Sequence, residues 1–133
     1  MTNHTLVMAI IMILSSLLST MNVWTDSVDH IRLSLNDLYM AILMTGWMLF
    51  LMGIYYGEIT NIAIGSIMAV LSIYLIRTQA FIGERQYLLG MIPHHSMAIH
   101  MSKQLVKKGV KEPMLQSIIE GQSEEIEYMK KKL

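Results

Sequence analysis

Three long uncharged runs dominate the first half of the chain. They cover residues 5–24, 38–57 and 59–76, and each is close to the roughly 20 residues that an α-helix needs to cross the hydrocarbon core of a bilayer. Only helices and closed barrels span a bilayer, because every backbone polar group must be paired internally. The runs therefore predict three transmembrane helices, which form a membrane anchor over residues 1–77.

The second half of the chain is amphipathic. Nine of the ten Lys and Arg residues follow residue 76, and the apolar residues there recur with helical spacing. One helix is predicted at 83–108 and a second at 113–131, with Gly109 ending the first. The chain is thus predicted to be all-α, with a two-helix hairpin head over residues 78–133. Two helices bury little surface alone, so we expect two copies to complete a four-helix bundle.

Within the anchor, Gly65, Ser66 and Ala69 form a small-residue patch that favours close contact between helices. Four methionines recur every fourth residue along the second span, at positions 40, 44, 48 and 52. We interpret them as packing residues, and a relay for cuprous ions is the alternative.

The segment between the first two spans, Thr25–Asp37, is polar. His30 stands near Asp26 and Asp29 in it, which are residue types that can bind a metal. Polar loop residues are usually solvated. We therefore interpret the segment as a solvated loop, with a metal site at His30 as the alternative.

Several classes of protein are excluded or disfavoured. The chain has no cysteine, which rules out disulfides, thiolate zinc sites, iron–sulfur clusters and Cys nucleophiles. Its formal net charge is zero, so there is no electrostatic case for binding nucleic acid. The head has no Glu-x-x-His motif of the di-iron type and no glycine-rich phosphate loop. We expect a protein that is not an enzyme.

The most distinctive stretch is Met91–Met101, which holds three of the five histidines and three of the fourteen methionines. Thioether sulfur and imidazole nitrogen favour soft or borderline transition metals, copper above all. At 100° per residue most of these side chains share one helix face, whereas His100 points the opposite way. On the second helix, Glu125 is a polar position within an apolar stripe. The candidate ligands are Met91, His94, His95, Met97, Met101, Glu125 and Met129; core packing for the methionines and an ordinary solvated face for Glu125 are the alternatives.

The segment Gln86–His95, which is QYLLGMIPHH, and the following Met97–Met101 resemble the signature of domain-of-unknown-function family 305. Ile118–Met129 is similar to the second helix of that family, and His30–Met40 is similar to its membrane-anchored members. The resemblance implies a ferritin-like helical bundle, with a link to copper binding and tolerance in some members. It implies Met91, His94, His95, Met101 and Met129 as ligands.

Together these patterns suggest a membrane-anchored protein that binds copper for tolerance, buffering or delivery, with another soft or borderline transition metal as the alternative cargo. A structural accessory subunit that docks a partner complex without metal is the alternative function. We expect an integral protein of a bacterial inner or plasma membrane. Arg32, Arg77 and Arg85 place the head in the cytoplasm by the positive-inside rule, but the copper resemblance favours an extracytoplasmic head, which we prefer.

Overall fold

The computed structural model describes residues 3–133, and in that range it consists of helices without a strand. The five α-helices are α1 (Asn3–Leu18), α2 (Leu35–Tyr56), α3 (Ile59–Thr78), α4 (Glu84–Lys107) and α5 (Pro113–Lys132). Two short 3-10 helices, Met21–Trp24 and Val28–His30, lie between α1 and α2. The all-α prediction is confirmed.

Three stretches are long and apolar enough to cross a membrane, namely Asn3–Trp24, Leu35–Tyr56 and Ile59–Thr78. They match the three predicted spans. The first α-helix itself ends at Leu18, earlier than the predicted residue 24, because the chain turns there into the 3-10 helix Met21–Trp24.

The contacts divide the chain into two compact units. The first unit comprises the chain up to Thr20 together with Leu35–Phe81, and the second comprises Met21–Ser34 together with Ile82–Leu133. The sequence predicted a single division at residue 77, with the segment before α2 as part of the anchor. In the structure that segment belongs with the head helices.

In the first unit, α2 and α3 approach each other at backbone distance. A Cβ placed on Gly65 would lie 2.4 Å from the backbone nitrogen of Phe50, and one on Gly46 would lie 2.9 Å from that of Ala69. Small residues allow such an approach because no long side chain separates the two backbones, and the close surfaces gain dispersion contacts. The predicted small-residue patch is confirmed for Gly65 and Ala69. Ser66 instead bonds back to the carbonyl oxygen of Ile62.

In the second unit, α4 and α5 form a hairpin around a small apolar core. Leu88, Ile92 and Ile99 of α4 pack with Ile126 and Met129 of α5. The helix α4 continues through Pro93 without a break. After it, Gly109 adopts a φ of +89°, a left-handed conformation that glycine reaches without a Cβ penalty, so the predicted end at Gly109 is confirmed.

Candidate metal site

The core of the hairpin determines which side of α4 faces α5. The buried residues Leu88, Ile92 and Ile99 lie on one side of α4, and the face richest in His and Met lies beside them. His95 is at the boundary between the two, with 12% of its side chain exposed. The candidate site is therefore at the edge of the core.

His95 joins the two helices of the hairpin. Its Nε2 lies 2.8 Å from Oε2 of Glu125, and its Nδ1 lies 2.9 Å from the backbone carbonyl oxygen of Met91. A carbonyl oxygen only accepts hydrogen bonds, so Nδ1 is the donor in that contact. The carboxylate of Glu125 also accepts. The contact at Nε2 is therefore a hydrogen bond when the imidazole carries its second proton.

Two methionines lie one helical turn from these residues along the chain, Met91 before His95 and Met129 after Glu125. Met129 is a core residue with 7% of its surface exposed, and Met91 packs against the same core cluster while remaining partly buried. Glu125 itself is on the surface, with 61% of its side chain exposed. The structure thus brings one imidazole and one carboxylate into contact, and it places one methionine in the hairpin core and one against that core.

The other predicted ligands do not join that group. His94 is exposed, and its ring centroid lies 5.9 Å from that of His95. Met101 is 49% exposed, and Met97 is partly buried. His100, which the sequence placed on the opposite face, is also partly buried.

Within residues 3–133 no group of three or more His, Asp or Glu side chains is arranged to hold a metal ion. His95 and Glu125 supply two such groups, so a metal here needs thioether sulfur or donors from another molecule. A buried side-chain oxygen near this site lacks a hydrogen-bond donor in the part of the chain that the structure describes. Gln122, one turn before Glu125, has a buried Oε1 without a hydrogen-bond donor among the described residues.

The segment Met21–Ser34 also packs against α4, which the sequence did not predict. Ser96 is fully buried; its Oγ accepts the backbone N–H of Asp26 at 2.8 Å and lies 2.8 Å from Nδ1 of His30. His30 is partly buried as a result. The interpretation of this segment as a solvated loop is wrong for His30, because α4 covers it.

Two ion pairs fasten the same segment to both helices of the hairpin. Lys103 on α4 donates to Oδ2 of Asp26 at 2.6 Å, and Lys130 on α5 pairs with Asp29. The hydrogen bond from Lys130 holds the pKa of the Asp29 carboxyl below its ordinary value of 3.8. Burial, followed by the charge of Lys130, lowers the pKa of His30 below 6.5.

A signal for this docking was present in the sequence. Leu88, Ile92 and Ile99 mark the core side of α4, and Ser96, one turn after Ile92, interrupts that apolar side. A small polar residue at a core position indicates a polar partner, because a buried hydroxyl without one is costly. The identity of the partner was not readable, since Asp26 is 70 residues away along the chain.

Comparison with known proteins places this geometry in a family. The model of a domain of unknown function, DUF305, matches residues 73–133. The chain is also 46% identical over 133 residues to the uncharacterized protein L153 of Acanthamoeba polyphaga mimivirus, an alignment that covers 93% of this chain and 87% of that protein. This chain belongs to the DUF305 family. No solved structure matches it at a significant level.

The DUF305 match covers α4 and α5 completely and begins within α3. It therefore includes His95, Glu125, Met91 and Met129. It does not include Met21–Ser34, the segment that packs against α4 in this protein. The alignment with the viral relative extends over most of this DUF305 chain, so the likeness is not confined to the hairpin.

Proposed function

We propose that this protein is a membrane-anchored copper binder, in which the α4–α5 hairpin holds the ion for tolerance, buffering or delivery. The contact between His95 and Glu125 carries the proposal. It aims an imidazole nitrogen of α4 at a carboxylate of α5, 2.8 Å apart, at the position where the sequence is richest in His and Met. The DUF305 membership supports it through the copper link of some members.

The fixed orientation of His95 suits a ligand. Metal-binding histidines commonly donate their other ring N–H to a carbonyl or carboxylate, which fixes the tautomer and the ring plane. In His95 the carbonyl oxygen of Met91 takes this role from Nδ1. Nε2 is then the nitrogen that would hold copper, and Glu125 would be a second ligand in place of its present contact.

Thioethers of the hairpin account for the choice of metal. Met91 and Met129 lie in or against the core cluster beside His95, and soft sulfur selects cuprous copper over calcium or magnesium. The donor set that fits is therefore His95, Glu125, Met91 and Met129. Other soft or borderline transition metals fit the same donors.

The remaining predicted ligands suit a second copy of the chain. Tyr87, His94 and Met101 recur every seven residues on α4 and are exposed. Met91, Ala98 and Leu105 form the parallel row. Such a seven-residue repeat is typical of helices that pair along a seam. A homodimer that closes a ferritin-like four-helix bundle would bring His94, Met97 and Met101 to the site from the partner's side.

We further propose that the three long apolar helices anchor the protein in a bilayer, with the hairpin outside the cytoplasm. The lengths and apolar composition of Asn3–Trp24, Leu35–Tyr56 and Ile59–Thr78 support insertion. Copper encountered outside the cytoplasm supplies the reason for the orientation. An impermeant reagent that labels a Lys132→Cys variant on intact cells tests it, and labelling that needs lysed cells would contradict it.

Titration with cuprous ion against a chromogenic cuprous chelator tests the metal proposal on the full chain in detergent. The double variant His94→Ala/His95→Ala should bind the hairpin ion at least ten-fold more weakly than the wild type, because it loses both imidazoles of that site. His100→Ala removes a histidine of the same helix and serves as the control, with affinity within two-fold of the wild type. The same number of cuprous ions, bound with equal affinity by the wild type and the double variant, would overturn the proposal.

The alternative function is a structural accessory subunit without metal. An outward groove of about 530 Å³ on α3, lined by Ser66, Ile67, Val70, Leu71 and Tyr74, is the surface that favours it, since a partner helix fits such a groove. This function predicts that the double variant retains a copurifying partner and that neither protein binds copper.

A further inference from the structure

The first unit contains a cavity that the hairpin site does not explain. It has a volume of about 240 Å³ and is lined by the first turn of α1, the last two turns of α2 and the residue that precedes α3. The lining residues are His4, Thr5, Met52, Tyr56 and Glu58. The residues around this one space come from three elements and carry imidazole, thioether, phenol and carboxylate groups.

The backbone on one side of this cavity is fixed. Gly57 adopts a φ of +70° and lets the chain reverse between α2 and α3. The N–H of Glu58 donates to the carbonyl oxygen of Gly53 at 2.8 Å, and the carbonyl oxygen of Glu58 accepts from Asn61 and Ile62. Gly53 has no room for a Cβ, which would lie 2.6 Å from the nitrogen of Ile62. Glu58 is thus held by a closely packed turn.

The side chain of Glu58 is also held, in an unusual way. It precedes α3 but makes no capping bond to the helix, and its carboxylate instead accepts from the side-chain amide of Asn61. Asn61 is only 1% exposed, and its Oδ1 has no hydrogen-bond donor among residues 3–133. A buried acceptor without a donor is costly. The side-chain amide of Asn61 therefore has one atom, Nδ2, that donates to the carboxylate of the lining residue Glu58, and a second atom, Oδ1, that is buried without a donor in the described chain.

The chemistry of the lining selects a class of ligand. A thioether adds nothing to the binding of water, a proton or a hard cation, but it favours soft metals. The described lining has no Lys or Arg, so it is unsuited to an anion. One carboxylate balances one positive charge. Nitrogen, sulfur and oxygen donors around a single negative charge match a monovalent soft cation.

We propose that this cavity is a second cuprous-ion site, with His4, Met52 and Glu58 as its ligands. Asn61 is a positioning residue that orients the carboxylate of Glu58. The site lies within the first unit and uses none of the residues of the hairpin site. It is therefore independent of the copper site proposed for α4 and α5, and either can fail without the other.

The test starts from the full-length His94→Ala/His95→Ala protein in detergent under anaerobic, reducing conditions. This background should retain one tightly bound cuprous ion. Adding Met52→Leu, which keeps the side-chain volume and removes the sulfur, should lower the affinity for that ion at least ten-fold. Met44→Leu is the matched control, since Met44 is on the same helix, is 41% exposed and does not line the cavity. A background without copper, or equal losses in the two Met variants, would overturn the proposal.

A second measurement separates ligation from damage to the fold. The copper X-ray absorption spectrum of the background should contain a sulfur scatterer that Met52→Leu removes and Met44→Leu retains. Glu58→Gln keeps an oxygen that can accept from Asn61 but removes the charge, so helicity should be unchanged while affinity falls at least three-fold. Unchanged affinity in Glu58→Gln would contradict the assignment of the carboxylate.

The converse variant distinguishes the two sites. His4→Ala/Met52→Leu with an intact hairpin should lose one of two cuprous ions. Two ions in the wild type and one in each site variant is the result that both proposals predict. One ion in the wild type, retained here and lost in His94→Ala/His95→Ala, would overturn the cavity site and leave the hairpin site standing.

Discussion

The helices within the first unit and those within the second unit pack against one another in different ways. In the first unit, α2 and α3 meet through the glycines Gly46, Gly53 and Gly65, where a single added Cβ would strike backbone atoms. In the second unit, the side chains of Ile92 and Ile126 fill the space between helices, and ion pairs attach the segment Met21–Ser34. Close contacts through glycine are typical of helices that associate in lipid, whereas packing of apolar side chains is typical of helices that associate in water.

The largest expected effect is in the core of the hairpin. Ile126 is 1% exposed, and Ile126→Ala should lower the free energy of unfolding of the second unit by roughly 3 kcal/mol, as cavity-forming substitutions do. Ile67→Ala is the counterpart in the first unit, where Ile67 is 66% exposed, and it should have little effect. Thermal unfolding in lipid nanodiscs, followed by amide exchange in each unit, measures both. Similar losses of unfolding free energy in the two variants would contradict the difference in packing between the units.

A smaller effect is expected from filling a glycine contact. Gly65→Ala places a Cβ 2.4 Å from a backbone atom of α2, and helices cannot shift as a flexible side chain can, so the first unit should lose about 2 kcal/mol. Gly121→Ala is the control. A Cβ at Gly121 meets nothing within 4 Å, and α5 should gain roughly 0.5–1 kcal/mol from the better helix former. A neutral Gly65→Ala would show that α2 and α3 are not packed at backbone distance.

The sequence predicted more of the structure of the first unit than of the second. The bounds of α2 and α3 and the contact at Gly65 followed from uncharged runs and small residues, because both are local patterns. For α4 the sequence predicted the helix, and it named both His95 and Glu125 of α5 among the candidate ligands. It did not predict that His94 and Met101 are exposed, because the periodic face of Met and His was assigned without the competing apolar side at Leu88, Ile92 and Ile99.

Sequence patterns indicate that Ser96 needs a polar partner, but they do not show that Met21–Ser34 supplies it. The contacts of His30 with Ser96 and of Asp29 with Lys130 join residues 66 and 101 positions apart. Each residue alone is an ordinary polar residue. Their convergence depends on the tertiary arrangement of the second unit.

The smallest expected effect is a dependence on pH at this docking contact. Because burial lowers the pKa of His30 below 6.5, the folded state favours neutral His30 and the unfolded chain binds a proton more readily. The stability that neutral His30 contributes to the second unit is therefore present above pH 6.5 and is lost as the pH falls through the folded-state pKa of His30. Asp29, whose pKa is also lowered, contributes stability that is lost only below 3.8.

Amide exchange of Asp26, corrected for the intrinsic rate, reports this effect, since its N–H is bonded to Ser96. Protection should decrease in the pH range just below 6.5 in the wild type. It should be independent of pH there in His30→Asn, which removes the ionisable ring. The same slope in both proteins would assign the change to other charges near His30, which include Asp26, Asp29, Glu127 and Lys130.

The discontinuity of the second unit has a consequence for how the protein is made. Met21–Ser34 leaves the ribosome before α2 and α3, and its partners on α4 and α5 follow only after both. During that interval His30 and Asp29 have no helix to bind. The unit therefore completes only when the last helix, which carries Lys130, has been synthesised. An expressed fragment that starts at residue 78 would contain the whole hairpin and still lack a part of its own fold.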